Sequence, residues 1–324
     1  MIIIDMSHLF FRNFWMMKKD IIEYKPDEDG VSVPTGEINE GYMIHLIYNS
    51  VLNLTNKFKA SKSNEVILAL DSKPSWRHDF YIKNTTEFPE YKNQTYKGDR
   101  AKDKSIPWGK LMDTFYGCIR DLDNYSDFKS IQVDLAEADD IIAVLARNAP
   151  ADEDVFICSG DKDFYQLQTN NIHIYDPIKK IIVPPMNITR HNQLHFMLAG
   201  DDNIKQIKKG VGIKTAERIL NEGLDLYLQT NPEAKARYEF NQKMIDFNFI
   251  PKKVEKSILS SYNNYNGGTF NSGELMKLFI KYQLKKMVIK MNQFKLNDNS
   301  VKFNVPKNKN VNKVVETSIE DFFS

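Results

Sequence analysis

Only two cysteines occur in the 324 residues, Cys118 and Cys158. They have neither metal-ligand spacing nor the number a disulfide framework needs, so the chain suits a reducing, intracellular compartment. An excess of either charge is lacking as well: 44 Lys and Arg stand against 43 Asp and Glu, a net charge of +1. Bulk attraction to a polyanion is thereby excluded, and any grip on nucleic acid has to come from local basic patches. No apolar run approaches the ~18 residues that cross a bilayer. The opening "MIIIDM" has no basic segment before its acid, unlike a secretory leader. A cytoplasmic protein without membrane contact is expected. No Ser/His/Asp or Cys/His grouping suggests a covalent nucleophile. His191 and His195 stand four apart, but no Glu follows His191 and no cysteine is near, so they read as surface or core histidines and not as a zinc pair.

What is present is material for a core. With 42% hydrophobic residues, the chain can bury one large domain or two intimate ones. Short β-rich runs alternate with helical patterns through the first half: "MIIID", a helix over 42–57, "EVILALD", a helix over 108–122, "IQVD", a helix over 137–147, then "DVFICS". Such alternation predicts an α/β fold with a mainly parallel central sheet flanked by helices, finished by "IHIYD" and "KIIVP". Beyond residue 185 the pattern turns helical and more basic, ending in one long helix over 273–294. The expected organisation is an α/β core over 1–185 with a basic, aromatic segment at about 73–110, a helical subdomain over 186–300, and a linker with a terminal peptide over 301–324. The linker "VKFNVPKNKNVNKV" lacks apolar periodicity.

Acids recur where strands should end. Asp5 closes the first strand, Asp71 follows "VILAL", Glu137, Asp139 and Asp140 open a helix after "IQV", and Asp161 and Asp163 follow "VFICS". Parallel strands share one carboxyl edge, which is where open α/β sheets bind ligands. Each acid alone also reads as a helix cap: Asp134 with Glu137 has capping-box spacing, and Asp161 with Asp163 suits a helix starting near Phe164. Caps give no reason to recur at successive strand ends. So many carboxylates together repel one another unless cations balance them, and oxygen-only donors suit Mg²⁺ or Mn²⁺, as a pair able to activate water and stabilise a leaving oxygen.

Together "LALD…WR…YKGDR", "EADD" and "SGDKDF" resemble the 5′-nuclease superfamily of flap endonucleases, in an order similar to its T-even phage ribonuclease H branch. The resemblance runs over roughly residues 1–295 and implies a PIN-like nuclease core. Its metal-binding acids would be Asp5, Asp71, Glu137, Asp139, Asp140, Asp161 and Asp163. The family's Gly-Asp, two residues, Asp-Asn motif is here the shorter "GDDN" at 200–203, which makes Asp202 the better match to the last acid and Asp201 the alternative. The resemblance further implies two Mg²⁺ ions, with Mn²⁺ as a substitute, and 5′-flap, nicked or RNA-primed DNA as substrate during replication. A monomer is expected. A catalytically silent junction-binding protein and a PIN-like single-strand ribonuclease are the other readings. The intact acid set disfavours the first, and the basic helical half exceeds what the second needs.

Basic residues supply the grip that net charge does not. In "KQIKKGVGIKTAERIL" a Gly-x-Gly turn leads into a helix, exposing backbone N–H groups to an anion. Lys205, Lys208, Lys209, Lys214 and Arg218 would neutralise phosphates beside Gly210, Gly212 and Thr215. Ile213 between Gly212 and Lys214 excludes a P-loop. The segment resembles the family's helix-three-turn-helix, which implies duplex binding and a K⁺ site. Upstream, Arg77, Lys92, Lys97 and Arg100 interleave with Trp76, Phe80, Tyr81, Tyr91 and Tyr96, a composition suited to single strands. In the family this is the arch. Lys97 and Arg100 match its catalytic Lys and Arg, with Lys92 the other candidate for the lysine. At the terminus "SIEDFFS" places Ile319, Phe322 and Phe323 on one helical face behind an N-capping Ser318. It resembles sliding-clamp-binding peptides without their leading Gln, and docking on its own domain is the other reading. A single-strand-binding protein is a further expected partner.

Overall fold

The computed structural model describes residues 1–58, 65–85, 88, 96–97, 103–199 and 204–296. Its strands are β1 (Ile2–Asp5), β2 (Ile22–Pro26), β3 (Ser32–Ile38), β4 (Val66–Ala69), β5 (Lys129–Ile131), β6 (Val155–Cys158), β7 (Ile172–Asp176) and β8 (Ile181–Ile182). The helices are α1 (Met6–Ile21), α2 (Glu40–Lys57), α3 (Trp76–Asn84), α4 (Trp108–Tyr125), α5 (Ala138–Asn148), α6 (Ile188–Leu198), α7 (Ile213–Glu222), α8 (Leu224–Thr230), α9 (Pro232–Ile245), α10 (Lys252–Asn263), α11 (Ser272–Lys281) and α12 (Lys285–Lys290). The six-stranded sheet runs β5-β4-β1-β6-β7-β8. All its pairings are parallel except β7 with β8. The expected α/β class with a mainly parallel sheet is therefore what the chain forms.

Near-continuous apolar strands are what a sheet covered on both faces requires. Ile3, Ile67, Ile157 and Ile174 pack on one side with residues of α5 and α10 such as Ile141 and Ile258. Ile2, Ile4 and Leu68 pack on the other with α1, α2 and α4 through Phe10, Tyr48 and Phe115. From β1 the chain steps outward to β4 and β5, then returns past β1 to β6 and β7. This reversal opens a crevice at the carboxyl edge next to β1, the place where such sheets take their ligands.

Four features depart from the sequence-based expectation. The aromatic helix α1 and the β2–β3 hairpin, a separate two-stranded sheet, occupy residues to which no element is assigned above. The helix expected at Phe164 is a 3₁₀ turn, Lys162–Leu167. The long helix over 273–294 is broken into α11, α12 and a 3₁₀ turn, Met291–Phe294. Gln283 takes a left-handed conformation (φ 56°), and the Leu284 N–H bonds back to the Phe279 carbonyl at 2.7 Å. That is a Schellman closure with Gln where Gly is usual. The break turns Leu284, Met287 and Phe294 onto the core that includes α2 and α4.

The stretch 186–300 is thus divided. Helices α6, α7 and α9 enclose a small core of Met197, Ile207, Val211, Ala216 and Ile219, whereas α11 and α12 return to the first half. Helix α9 joins the two regions, since Phe240 and Met244 belong to the main core. Among the described residues no helix is long and apolar enough to cross a membrane.

Candidate metal centre and nucleic-acid interface

The acids at the strand ends are also caps, and the two uses fit together. Asp5 Oδ1 accepts from the His8 N–H (2.9 Å) at the start of α1, while Oδ2 accepts from Ser159 Oγ (2.9 Å) just past β6. Asp71, two residues beyond β4, accepts from the Ala138 N–H at 2.9 Å and from Ser7 Oγ. Asp161 accepts from the Asp163 N–H at 2.9 Å and heads the 3₁₀ turn. The Ser159–Asp5, Ala138–Asp71 and Ser7–Asp71 bonds each tie a carboxylate at one strand end to a neighbouring segment, so β1, β4, β6 and α5 converge on one edge.

Glu137 and Asp140 form the capping box of α5, each accepting from the other's end of the first turn. The Asp134–Glu137 pair expected from spacing does not form the box, because Glu137 is itself the N-cap. Asp140 departs from the metal-binding role expected of it. It is fully buried, and its oxygens accept from Arg77 Nη1 (2.7 Å), Trp76 Nε1 (3.0 Å) and the Glu137 N–H (2.9 Å). With both oxygens taken by protein donors, Asp140 serves to hold α5 and α3 together. Arg77, expected to contact DNA, is likewise inside, 4% exposed. It stacks on Trp76 and donates Nε to the Met244 carbonyl at 2.9 Å, linking α3, α5 and α9.

Glu137 keeps a foot in both camps. Arg77 Nη1 lies 3.4 Å away, Ser75 Oγ donates at 3.2 Å, and Lys97 Nζ donates at 2.8 Å. Burial would raise its pKa, but Lys97 and Arg77 outweigh burial and hold it below the usual carboxylate range. Lys97 itself sits in a left-handed conformation, φ 57°, and Glu137 holds its ammonium protonated against the cost of burial. Lys97, Glu137, Asp139, Asp161 and Asp163 line a cavity of about 90 Å³, together with the apolar Met244 and Phe247.

The remaining acids lack such partners. Asp5, Asp139 and Asp161 make no ion pair among the described residues. Burial, reinforced by Asp71 and Asp161, pushes Asp5 up to about 7. Desolvation and Asp163 bring Asp161 to about 6, and burial with Asp161 and Asp5 raises Asp139. No three acid, thiol or imidazole groups among the described residues converge into a finished coordination sphere. Glu137, Asp139, Asp161 and Asp163 line the cavity instead, an oxygen-rich set carrying more negative charge than its lysine and histidine balance. A hard divalent cation fits this set on both counts, donor type and charge.

A histidine also enters the site, unannounced by any motif. His195 Nε2 lies 2.6 Å from Asp163 Oδ1, so a residue read as surface or core belongs to the site. Nothing in its spacing reveals this, because α6 and the Asp163 turn meet only through the fold. On the helical side, Lys208, Lys209, Gly210, Gly212, Lys214 and Arg218 are exposed on the turn and first face of α7, with Lys205 and Thr215 half-buried. Gly210 has φ +89°, a conformation that favours glycine. Asn241 Nδ2 pins this turn to α6, donating to the carbonyls of Phe196 and Lys205 at 2.9 Å. Arg100, Lys92, Asp201, Asp202, Ile319, Phe322 and Phe323 lie outside the described residues.

Fold and acid set define a class: a hydrolase of the nuclease type, built on an α/β sheet whose switch point carries the carboxylates. More particularly, the chain belongs to the 5′-3′ exonuclease family, residues 1–194 matching its N-terminal, resolvase-like domain. Residues 210–294 match the T4 RNase H C-terminal domain. Ribonuclease H of Enterobacteria phage T4 is 27% identical over 290 residues, 82% of this chain and 90% of the relative. Flap endonuclease Xni of Colwellia psychrerythraea is 25% identical over 236 residues, 68% of this chain and 73% of that protein. Among solved structures, the T5 D15 protein co-crystallised with metal ions aligns over 90% of this chain and 98% of its own, with a TM-score of 0.53. At 15% identity this is a likeness of fold.

Proposed function

We propose that this nuclease removes RNA primers and 5′ flaps from duplex DNA during replication, acting as a 5′-3′ exonuclease and flap endonuclease. The observation that carries the reading is the gathering of Asp5, Asp71, Glu137, Asp139, Asp161 and Asp163 at one sheet edge beside Lys97. Asp5, Asp71, Asp139, Asp161 and Asp163, joined by Asp202 or Asp201, would hold two Mg²⁺ ions, with Mn²⁺ as a substitute. Bound there, such ions would supply an activated water and stabilise the leaving oxygen of a phosphodiester.

The protein's own groups do the rest. Lys97, held at the cavity mouth by Glu137, is placed to neutralise charge growing on the scissile phosphate, with Arg100 proposed beside it and Lys92 as its alternate. Lys208, Lys209, Lys214 and Arg218 track the duplex backbone, and the Gly210–Gly212 turn offers N–H groups to a phosphate, with K⁺ as its proposed companion. Met244 and Phe247 give part of the cavity an apolar lining. The terminal Ile319, Phe322 and Phe323 are proposed to engage a sliding clamp, and a single-strand-binding protein is a further proposed partner. The test is one gel comparing 5′-labelled flap, nicked, RNA-primed and single-stranded substrates, with and without Mg²⁺. Cleavage of flap and primed substrates only with the metal is expected. Equal cleavage of unstructured single strands would overturn the reading.

A further inference from the structure

Helix α6 opens the helical half, yet one of its side chains ends in the acid cluster. Its His195 places Nε2 2.6 Å from Asp163 Oδ1. A carboxylate oxygen only accepts, so Nε2 carries the proton and donates. The ring is held from behind: His191 stacks on it with centroids 5.8 Å apart and planes at 26°. His191 in turn packs against Tyr165 at 5.5 Å, a residue of the same 3₁₀ turn as Asp163. The backbone of that turn is fixed independently. The Asp163 N–H donates to Asp161 Oδ1, and Gln166 Nε2 bridges the carbonyls of Asp163 (2.8 Å) and Ile245 (3.1 Å). Backbone and one carboxylate oxygen are thus anchored, while Oδ2 has no protein donor among the described residues and Asp163 lines the cavity.

We propose that His195 is a positioning residue for Asp163: the Nε2–H···Oδ1 bond stops the carboxylate from rotating and presents Oδ2 to a divalent cation. The placement of α6 thereby sets how tightly the cation is held. This rests on the metal-centre reading above. A ligand carboxylate left free to rotate has to be ordered when the cation arrives, and loss of such an orienting partner weakens metal binding by ~10–100-fold. Because α6 also leads into the 204–212 turn that Asn241 pins to it, duplex engagement and cation affinity share one rigid element.

Two measurements on the full chain test the proposal. Mn²⁺ binding in the absence of DNA is followed by the electron paramagnetic resonance signal of the free ion, and the Mg²⁺ dependence of single-turnover flap cleavage is recorded in parallel. For His195→Ala, Mn²⁺ affinity falls ~10-fold, and the Mg²⁺ needed for half-maximal rate rises by a similar factor. The rate deficit shrinks as Mg²⁺ is raised. His195→Gln, whose amide still donates, recovers most of the affinity; a merely structural role would not distinguish the two. Wild-type Mn²⁺ binding by His195→Ala overturns the proposal, and so does equal weakness of the Ala and Gln variants. Asp161→Asn is the control: if it too binds Mn²⁺ like wild type, the metal-centre reading fails, whereas loss in Asp161→Asn alone removes only the role of His195.

Discussion

Asp161 offers the sharpest single-residue experiment, because its carboxylate faces the cavity while its Oδ1 caps only one N–H. Asp161→Asn keeps an acceptor for that cap but removes a proposed cation ligand, so cleavage is expected to fall by at least ~100-fold at any Mg²⁺ concentration. Binding of uncleaved flap substrate, measured by anisotropy, is retained or improved, since a repulsive charge is gone. A second consequence follows from Asp5, which burial lifts to about 7 from an ordinary value of 3.8. A raised carboxyl pKa means that the folded state binds the extra proton. Its stabilising contribution is fully present below the unfolded pKa and is lost as pH rises through about 7. In chelator, Tm therefore falls between pH 6 and pH 8, each ~1 kcal/mol lost shifting it by ~2 °C or less in a chain of this length. Excess Mg²⁺ flattens the slope by standing in for the proton. A Tm in chelator that rises over this interval contradicts the assignment.

At the scale of elements, the lysines should separate by location. Lys97→Ala is expected to lower the single-turnover rate at saturating enzyme by ~10-fold or more, because its ammonium is proposed to serve a transient charge. Lys208→Ala and Lys209→Ala weaken binding across sequences and each flatten the salt slope by about one unit, as phosphate contacts do. Similar losses in binding alone for all three would remove Lys97 from the chemistry. The joint between α2 and the α11–α12 break is equally testable. A methyl at Gly41 would run into the Tyr282 carbonyl oxygen, so Gly41→Ala costs ~1–3 kcal/mol, read as a lowered urea midpoint.

The same elements show what sequence reveals and what it hides. Strands β1, β4, β6 and β7 announce themselves as apolar runs, and parallel topology brings the acids after β1, β4 and β6 to one edge. The break at Gln283 is hidden because its left-handed turn is closed by burial of Leu284, a tertiary gain that local pattern does not contain. Asp140 and Arg77 are hidden in another way. Composition marks them as charged and so as functional, but α3, α5 and α9 bring them into mutual contact and use up their charge. His195 is the reverse case, ordinary in sequence and placed at the acids by helix packing.

For the whole molecule, the chain closes on itself late. Leu275, Phe279, Met287 and Phe294 complete the core under α2 and α4, so a chain stopped after residue 270 exposes this face and loses cooperative unfolding. One stopped after residue 296 retains it, as circular dichroism melting would report. The order of strands in the sheet has a consequence in time as well. β1 leaves the ribosome first but lies between β4 and β6, and at ~5–20 residues per second β6 follows it by on the order of 10–30 s. Until both neighbours pair with it, Asp5, Asp71 and Asp161 are strangers on a loose chain and feel none of the mutual repulsion that shapes them later. Over that interval the nascent polypeptide travels beside the messenger that encodes it with no assembled means of cutting nucleic acid, and the acids meet only when β6 has paired with β1.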